Sequence, residues 1–223
     1  MEYHVKRATV CPELAGLWDG PAWGRTEAIT VDNFRPESSD HRPKVQAKLL
    51  FDAETIYGIF YVEDKYVRAV HTGYQESVCK DSCVEFFVKP KPDEGYFNFE
   101  FSACGAFLVH YVTDATRQPG GDCKAFVELT EQDGDLVQVY HSLPGRIEPE
   151  IEEDTEWVLE FAIPRQLLEK YVGSLGDPAG QTWRANFYKC GDATSHPHWA
   201  SWVPLPKTNF HQPEYFGTLR FAE

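Results

Sequence analysis

The sequence lacks any apolar run long enough to cross a membrane, since a spanning helix needs about 20 consecutive apolar residues. Its opening segment, MEYHVKRATVCPELAG, lacks the apolar core of a secretion signal. Basic side chains are scarce, because 21 Lys and Arg stand against 35 Asp and Glu, which gives a formal net charge of -14. Such a chain repels a phosphate backbone. We therefore expect a soluble protein without membrane or nucleic-acid partners, cytoplasmic as the chain is given and secreted if a leader has been removed.

Short motifs of common enzymes and metal proteins are also missing. The six cysteines include no CxxC pair, and a chain of this length needs no disulfide framework. Cys79 and Cys83, the closest two, would hold zinc only with two more soft ligands, which the sequence does not show. Glycine-rich phosphate loops, GxSxG turns and calcium-type Asp/Asn loops are absent. The residues alone therefore predict free thiols and no metal or cofactor.

Strand-like segments fill most of the chain. Residues 26–31, 45–51, 56–62, 84–88, 96–101, 107–113, 124–129, 136–141, 157–163, 183–190, 199–203 and 218–221 are rich in β-branched or aromatic side chains. Turn residues predict one hairpin across residues 52–55 and another across Asp133-Gly134. Only Arg165–Tyr171 has a helical pattern. This arrangement predicts an all-β fold, a two-sheet antiparallel β-sandwich of the immunoglobulin-like or jelly-roll type with one short helix, and one domain over residues 1–223.

Alternation along the strands predicts which side chains face the core. In the segment YFNFEF the three Phe side chains share one face, and Asn98 and Glu100 share the other. In VEFFV, Glu85 and Phe87 point away from their neighbours in the same way. The predicted core between the sheets comprises Val84, Phe86, Val88, Phe97, Phe99, Phe101, Ile59, Phe161 and Ile163.

Acidic and histidine clusters could indicate an enzyme, but a simpler explanation is favoured for each. The acidic run over residues 148–156 is typical of a solvated loop. Glu85 sits within an apolar strand, and glycoside hydrolysis would require a second carboxylate placed against it. His196, His198 and His211 could be drawn as a metal site, although ordinary polar contacts in loops are the favoured interpretation. An enzyme is the least favoured hypothesis.

Aromatic residues crowd into a proline-rich loop near the end of the chain, and they allow two interpretations. The group comprises Trp199, Trp202, Phe210, Tyr215 and Phe216. Aromatic rings in loops suit the apolar face of a pyranose, whose hydroxyls neighbouring polar side chains can bind. Alternatively, an exposed patch of Trp199, Trp202 and Phe210 would dock another protein.

The order of six segments resembles a known family. These are LLFDAETIYGIFYVEDKYV, KDSCVEFFVKP, WVLEFAIP, ANFYKCGD, ASWVP and PEYFGTLRF. Together they resemble the carbohydrate-binding modules of family 9 and their stand-alone relatives, from about residue 15 to residue 221. The resemblance implies a DOMON-like β-sandwich in which a sugar end is clamped between two Trp rings, often with structural calcium nearby.

The resemblance also implies a set of site residues. The family's two Trp positions fall on Val78 and Phe210, and its Glu falls on Glu85. The polar side of the site maps by gapped alignment onto Glu100, Asn186, Tyr188, His196 and Lys207, and Trp199 joins them from the aromatic loop. The expected function is non-catalytic binding of an oligosaccharide or polysaccharide, as a soluble oligosaccharide or a sugar chain end, in carbohydrate catabolism. The alternative is a protein-docking accessory module, and no oligomeric state is predicted.

Overall fold

A computed structural model describes residues Met1–Glu223. Its strands are β1 (Glu2–Arg7), β2 (Ile29–Thr30), β3 (Asn33–Phe34), β4 (Lys44–Phe51), β5 (Thr55–Asp64), β6 (Val67–Ala69), β7 (Cys83–Lys89), β8 (Tyr96–Ser102), β9 (Phe107–Arg117), β10 (Cys123–Glu128), β11 (Gln138–His141), β12 (Ile147–Ile151), β13 (Thr155–Pro164), β14 (Thr182–Cys190), β15 (Trp199–Ser201) and β16 (Gly217–Phe221). The helices are α1 (Glu131–Gly134) and α2 (Arg165–Val172), with single 3-10 turns at Val78–Lys80 and Pro213–Tyr215. Neither helix has the length and apolar character needed to span a bilayer.

Two curled sheets share strand β1. Sheet A has the order β10-β9-β8-β7-β14-β16-β1, and sheet B has the order β1-β4-β5-β13-β11. β1 pairs with β16 through its first residues and with β4 through Lys6 and Arg7, in parallel both times. The other ladders are antiparallel, so the expected all-β fold is confirmed, but its pairing is not antiparallel throughout. Short strands extend the sheets, since β15 pairs with β14 and β3, and β2 pairs with β4.

The main core lies between the two sheets and is rich in Phe. Phe161 of sheet B stacks on Phe86 and Phe101 of sheet A, with ring centroids 5.6 Å and 5.1 Å apart. All the predicted core residues are buried, and all except Ile59 belong to this cluster. The prediction that Ile59 faces the core between the sheets is wrong. It packs with Trp23 and Tyr57 on the opposite side of sheet B, where residues of the N-terminal segment cover the sheet.

The predicted hairpin at Asp133-Gly134 is wrong. This segment forms α1, whose first turn is closed by a capping box between Thr130 and Asp133. β10 before it pairs with β9 in sheet A, and β11 after it pairs with β13 in sheet B. The Asp133 carboxylate also accepts hydrogen bonds from Lys170 and Tyr171 of α2. The capping interactions therefore turn an Asp-Gly pair into a helix that carries the chain from one sheet to the other.

Two other local predictions are confirmed. β4 and β5 form the expected hairpin, in which Asp52 accepts hydrogen bonds from the amides of Glu54 and Thr55. The predicted helix is α2, and it ends at Gly173, whose φ of 70° lies in the left-handed region that glycine adopts readily.

The outer face of sheet A is buried as well. Phe87, Tyr188 and Cys190 project from this face and pack with Val78, Phe210 and Phe216 from loops that cross it. Strands β7 and β14 are therefore apolar on both faces, apart from a few polar side chains. The candidate site lies over these polar positions.

Candidate functional site

A cleft of about 300 Å³ opens on the outer face of sheet A. Its lining residues are Arg35, Cys79, Glu85, Glu100, Arg117, Cys190, Asp192, Trp199, Thr208, Asn209, Phe210 and His211. Strands β7, β8 and β14 provide the floor, and the segments after β3 and β15 provide much of the wall. The volume falls at the lower end of the range typical of small-molecule sites.

Two carboxylates lie side by side on the floor. Glu85 of β7 stands directly opposite Glu100 of β8, and both are buried, at 2% and 7% exposure. Their orientation follows from strand parity, because Phe86 and Phe99 point into the core instead. The Glu85 Oε1 atom accepts a hydrogen bond of 3.1 Å from the Cys190 thiol, whereas its Oε2 atom has no partner. Glu100 accepts a hydrogen bond of 2.8 Å from the Asn98 amide.

Burial controls the electrostatics of this pair. It raises the pKa of Glu85 well above its usual range, and the adjacent Glu100 raises it further. Burial also raises the pKa of Glu100 to about 7, against the opposing effect of the Asn98 hydrogen bond. The Arg117 guanidinium lowers both values. Near neutral pH the floor therefore carries less than two negative charges, and a protonated carboxyl can donate as well as accept a hydrogen bond.

Two aromatic side chains line the cleft. Phe210 stacks on Tyr188 with centroids 4.1 Å apart and planes at 14°, and the Tyr188 hydroxyl donates to the Phe210 carbonyl. Only 9% of Phe210 is exposed, so the platform that it offers is small. Trp199 is half-buried, its indole N–H donates to Asp192 over 2.6 Å, and the Arg35 guanidinium lies 4.8 Å from its ring centroid.

Four of the eight predicted site residues meet in this cleft: Glu85, Glu100, Phe210 and Trp199. The other four lie outside its lining. Tyr188 supports Phe210 from behind, and the Asn186 side chain bonds the backbone of Val203. His196 stacks on Tyr66 with centroids 3.7 Å apart, and Lys207 lines an adjacent depression. Val78, at the family's first Trp position, is fully buried beside the cleft.

Sequence reasoning missed several residues that line the cleft, above all Arg35 and Arg117. Arg35 reaches it because β3 pairs with β15, which brings the segment after β3 beside Trp199. Arg117 is the last residue of β9. No local motif marks either arginine. By contrast, Asn209 and His211 flank Phe210 in the sequence and could have been nominated with it.

Comparison with known proteins identifies the family. The model for carbohydrate-binding family 9 matches residues 23–221 of the chain. The chain belongs to carbohydrate-binding family 9. None of the curated proteins searched matches it.

Solved structures resemble this family 9 chain over nearly its whole length. A candidate carbohydrate-binding protein of Bacteroides uniformis ATCC 8492 is 31% identical, with a TM-score of 0.84 and 99% of each chain covered. A family 9 module of Caldicellulosiruptor kristjanssonii in complex with cellotriose has 13% identity and a TM-score of 0.60, covering 100% of this chain and 94% of its own. The family 9 module of the same organism in complex with glucose has 12% identity and a TM-score of 0.61, covering 100% of this chain and 96% of its own. At this level of identity, the cellotriose and glucose complexes show that the module has the same fold as this chain.

His196, His198 and His211, which could have been drawn as one metal site, do not all come together in the family 9 chain. His198 lies beside His41, with ring centroids 5.1 Å apart, whereas His211 contacts Tyr96 in the cleft region. The Lys189 ammonium lies 2.7 Å from the His198 Nε2 atom and 3.3 Å from the Asp64 carboxylate. His198 therefore belongs to a buried ion-pair network, and the less favoured interpretation of the three histidines as one metal site does not hold.

Calcium, which the family resemblance implies, does not fit the two clusters of potential ligands. These are His41, Asp64 and His198, and Cys83, Glu85 and Cys190. Calcium takes about six to eight oxygen ligands, and each cluster supplies one carboxylate. In the first cluster, moreover, the Lys189 ammonium already neutralises the acid.

The exposed aromatic patch proposed for protein docking is not formed. Trp202 and Phe210 are buried, and Arg35 covers part of Trp199. Tyr215, at 42%, is the one residue of the aromatic loop among the exposed large apolar side chains. The loop thus faces the protein and the cleft rather than presenting a broad apolar surface.

Proposed function

We propose that this family 9 chain acts as a single unit that binds carbohydrate in the cleft over Glu85 and Glu100 without cleaving it. The ligand is a soluble oligosaccharide or a sugar chain end, and the protein binds it as part of carbohydrate catabolism. The observation that carries the proposal is the cleft itself, where convergent polar groups surround two aromatic side chains. Its support includes the family match and the cellotriose and glucose complexes of the C. kristjanssonii module.

In this proposal a sugar ring rests against Phe210, and its hydroxyls bind polar groups of the floor and wall. The unpartnered Oε2 atom of Glu85 accepts a hydrogen bond from one hydroxyl. The side chains of Arg117 and Asn209 can donate further hydrogen bonds to the ligand. The buried ring of Phe210 provides little stacking area, and Val78 provides no opposing ring. Affinity is therefore weak, on the order of 0.1 to 1 mM, because a few polar contacts must offset the cost of ordering the ligand.

The arrangement of the carboxylates favours binding over hydrolysis. Glycosidases place two carboxyl groups on either side of the scissile bond. Glu85 and Glu100 instead project from adjacent strands on the same floor, and Glu85 is held there by the Cys190 thiol. Both acids consequently approach a ligand from one side.

The test is a glycan array followed by calorimetry with the strongest hit. Phe210→Ala and Glu85→Gln should each abolish measurable binding. Tyr215→Ala and Glu214→Gln, which change an exposed aromatic and an exposed acidic side chain, should not alter it. Thermal melts check that each variant is folded. If the two cleft variants bind as tightly as the unmodified protein, the site lies elsewhere. Release of shorter sugars during incubation would contradict the non-catalytic part of the proposal.

A further inference from the structure

Beneath the cleft, three side chains with metal-binding chemistry meet on the outer face of sheet A. Cys83 and Glu85 are two residues apart on β7 and so share one face, and Cys190 of β14 stands directly opposite Cys83. Their ligand atoms all lie within 4.8 Å of one another, and the Cys190 Sγ atom is 3.1 Å from the Glu85 Oε1 atom. Ligand atoms around a tetrahedral zinc ion are about 3.3 to 3.9 Å apart, so small side-chain adjustments would complete the geometry.

A second observation is that one buried atom of this cluster, a carboxylate oxygen, lacks a partner. Glu85 is only 2% exposed, and its Oε2 atom makes no hydrogen bond. Buried carboxylate oxygens are ordinarily satisfied, because leaving one unpaired is costly. Cys83 and Cys190 are equally inaccessible and form no disulfide with each other. A cation held between the two sulfurs and the carboxylate would satisfy the unpaired oxygen.

We propose that Cys83, Glu85 and Cys190 bind one divalent cation of the zinc type. Two thiolates and one carboxylate suit a borderline-soft ion and exclude calcium and magnesium, which require oxygen ligands. Glu85 and Cys190 also line the cleft, so the fourth coordination position is open to water or to a ligand hydroxyl. Cys190 thus supplies a second thiol from the neighbouring strand, and Glu85 supplies a carboxylate from the same strand as Cys83.

This proposal does not depend on carbohydrate binding, although Glu85 takes part in both. The ion would neutralise the carboxylate and connect β7 to β14 beneath the cleft. Variants separate the two proposals, since Cys83→Ser removes a metal ligand that does not line the cleft, and Phe210→Ala changes the cleft without removing a ligand.

The test is a cobalt titration of the full chain, reduced, stripped of metal with a chelator and free of carbohydrate. Co²⁺ should bind at one ion per chain with a thiolate-to-cobalt charge-transfer band and the visible bands of a tetrahedral site, and Zn²⁺ should displace it. Cys83→Ser, Cys190→Ser and Glu85→Gln should each lower Zn²⁺ affinity by about 100-fold or more, since each removes a direct ligand. The matched control is Cys104→Ser, which changes a buried cysteine of the main core and should bind like the unmodified protein.

The unmodified protein decides the matter even if a variant fails to fold. Absence of the charge-transfer band in folded, fully reduced protein would overturn the proposal. A mass lower by about 2 Da after mild air oxidation, with peptides that join Cys83 to Cys190 and no metal uptake before oxidation, would identify a disulfide pair instead. Equal loss of Zn²⁺ affinity in Cys104→Ser would show that a general change in stability, not ligation, had been measured.

Discussion

Phe161 and Gly58 form a pair whose coupling can be measured. Phe161 is fully buried between the sheets, and its ring lies over Gly58 on the neighbouring strand, where an added Cβ atom would come within 2.1 Å of the ring. Phe161→Ala should cost about 4 kcal/mol, because the ring's contacts are lost and a glycine cannot fill the cavity. Gly58→Ala should cost about 1 to 3 kcal/mol through overpacking. In the double variant the added methyl enters the vacated space. The loss of stability in the double variant should therefore be at least about 1 kcal/mol smaller than the sum of the losses in the two single variants.

Equilibrium urea unfolding of the four proteins gives this coupling energy directly. Phe161→Ala should also lower Tm by roughly 8 to 16 °C, because a chain of this size loses about 2 to 4 °C per kcal/mol. Phe126→Ala is the control, since Phe126 is half-buried on the edge strand β10 and should cost much less. Strict additivity of the two changes, or a loss below about 2 kcal/mol for Phe161→Ala, would refute the packing argument.

Three further predictions concern other parts of the fold. Burial lowers the pKa of His198 to about 3, so the stability that its neutral form contributes is present above pH 6.5 and lost as pH falls toward 3. The NMR signals of its ring protons should therefore stay constant from pH 8 to pH 5. A titration midpoint near pH 6.5 would contradict this. Lys189→Met and Asp64→Asn should each cost about 3 to 5 kcal/mol, because each leaves a buried partner uncompensated, and the double variant should cost less than the sum in urea unfolding. Thr130→Ala should cost about 1 kcal/mol by removing the capping box of α1, and an unchanged urea midpoint would contradict that role.

Strand positions and parity were largely accessible from the sequence, because they depend on local alternation. The alternation of Phe97, Phe99 and Phe101 predicted their face correctly. Ile59 shows the limit of the method, since both faces of β5 are apolar and parity alone cannot distinguish the core from the side covered by the N-terminal segment. The prediction of a hairpin turn at Asp133-Gly134 was wrong for another reason. Its conformation depends on capping by Thr130 and on ion pairing with Lys170, which is distant in the sequence.

The cleft could be predicted only in part, for a related physical reason. Glu85 was visible because it interrupts an apolar strand, whereas Glu100 entered only through the gapped alignment with the family. A buried acid in either place requires compensation. What compensates it lies far away in the sequence: Cys190 reaches Glu85 across the β7–β14 ladder, and Arg117 acts on it from the end of β9. Pairing between distant strands sets these contacts, and a single sequence does not encode it locally. The acid that interrupts β7 therefore marked one position of the cleft, whereas the groups that determine its chemistry emerge only from the folded sheet.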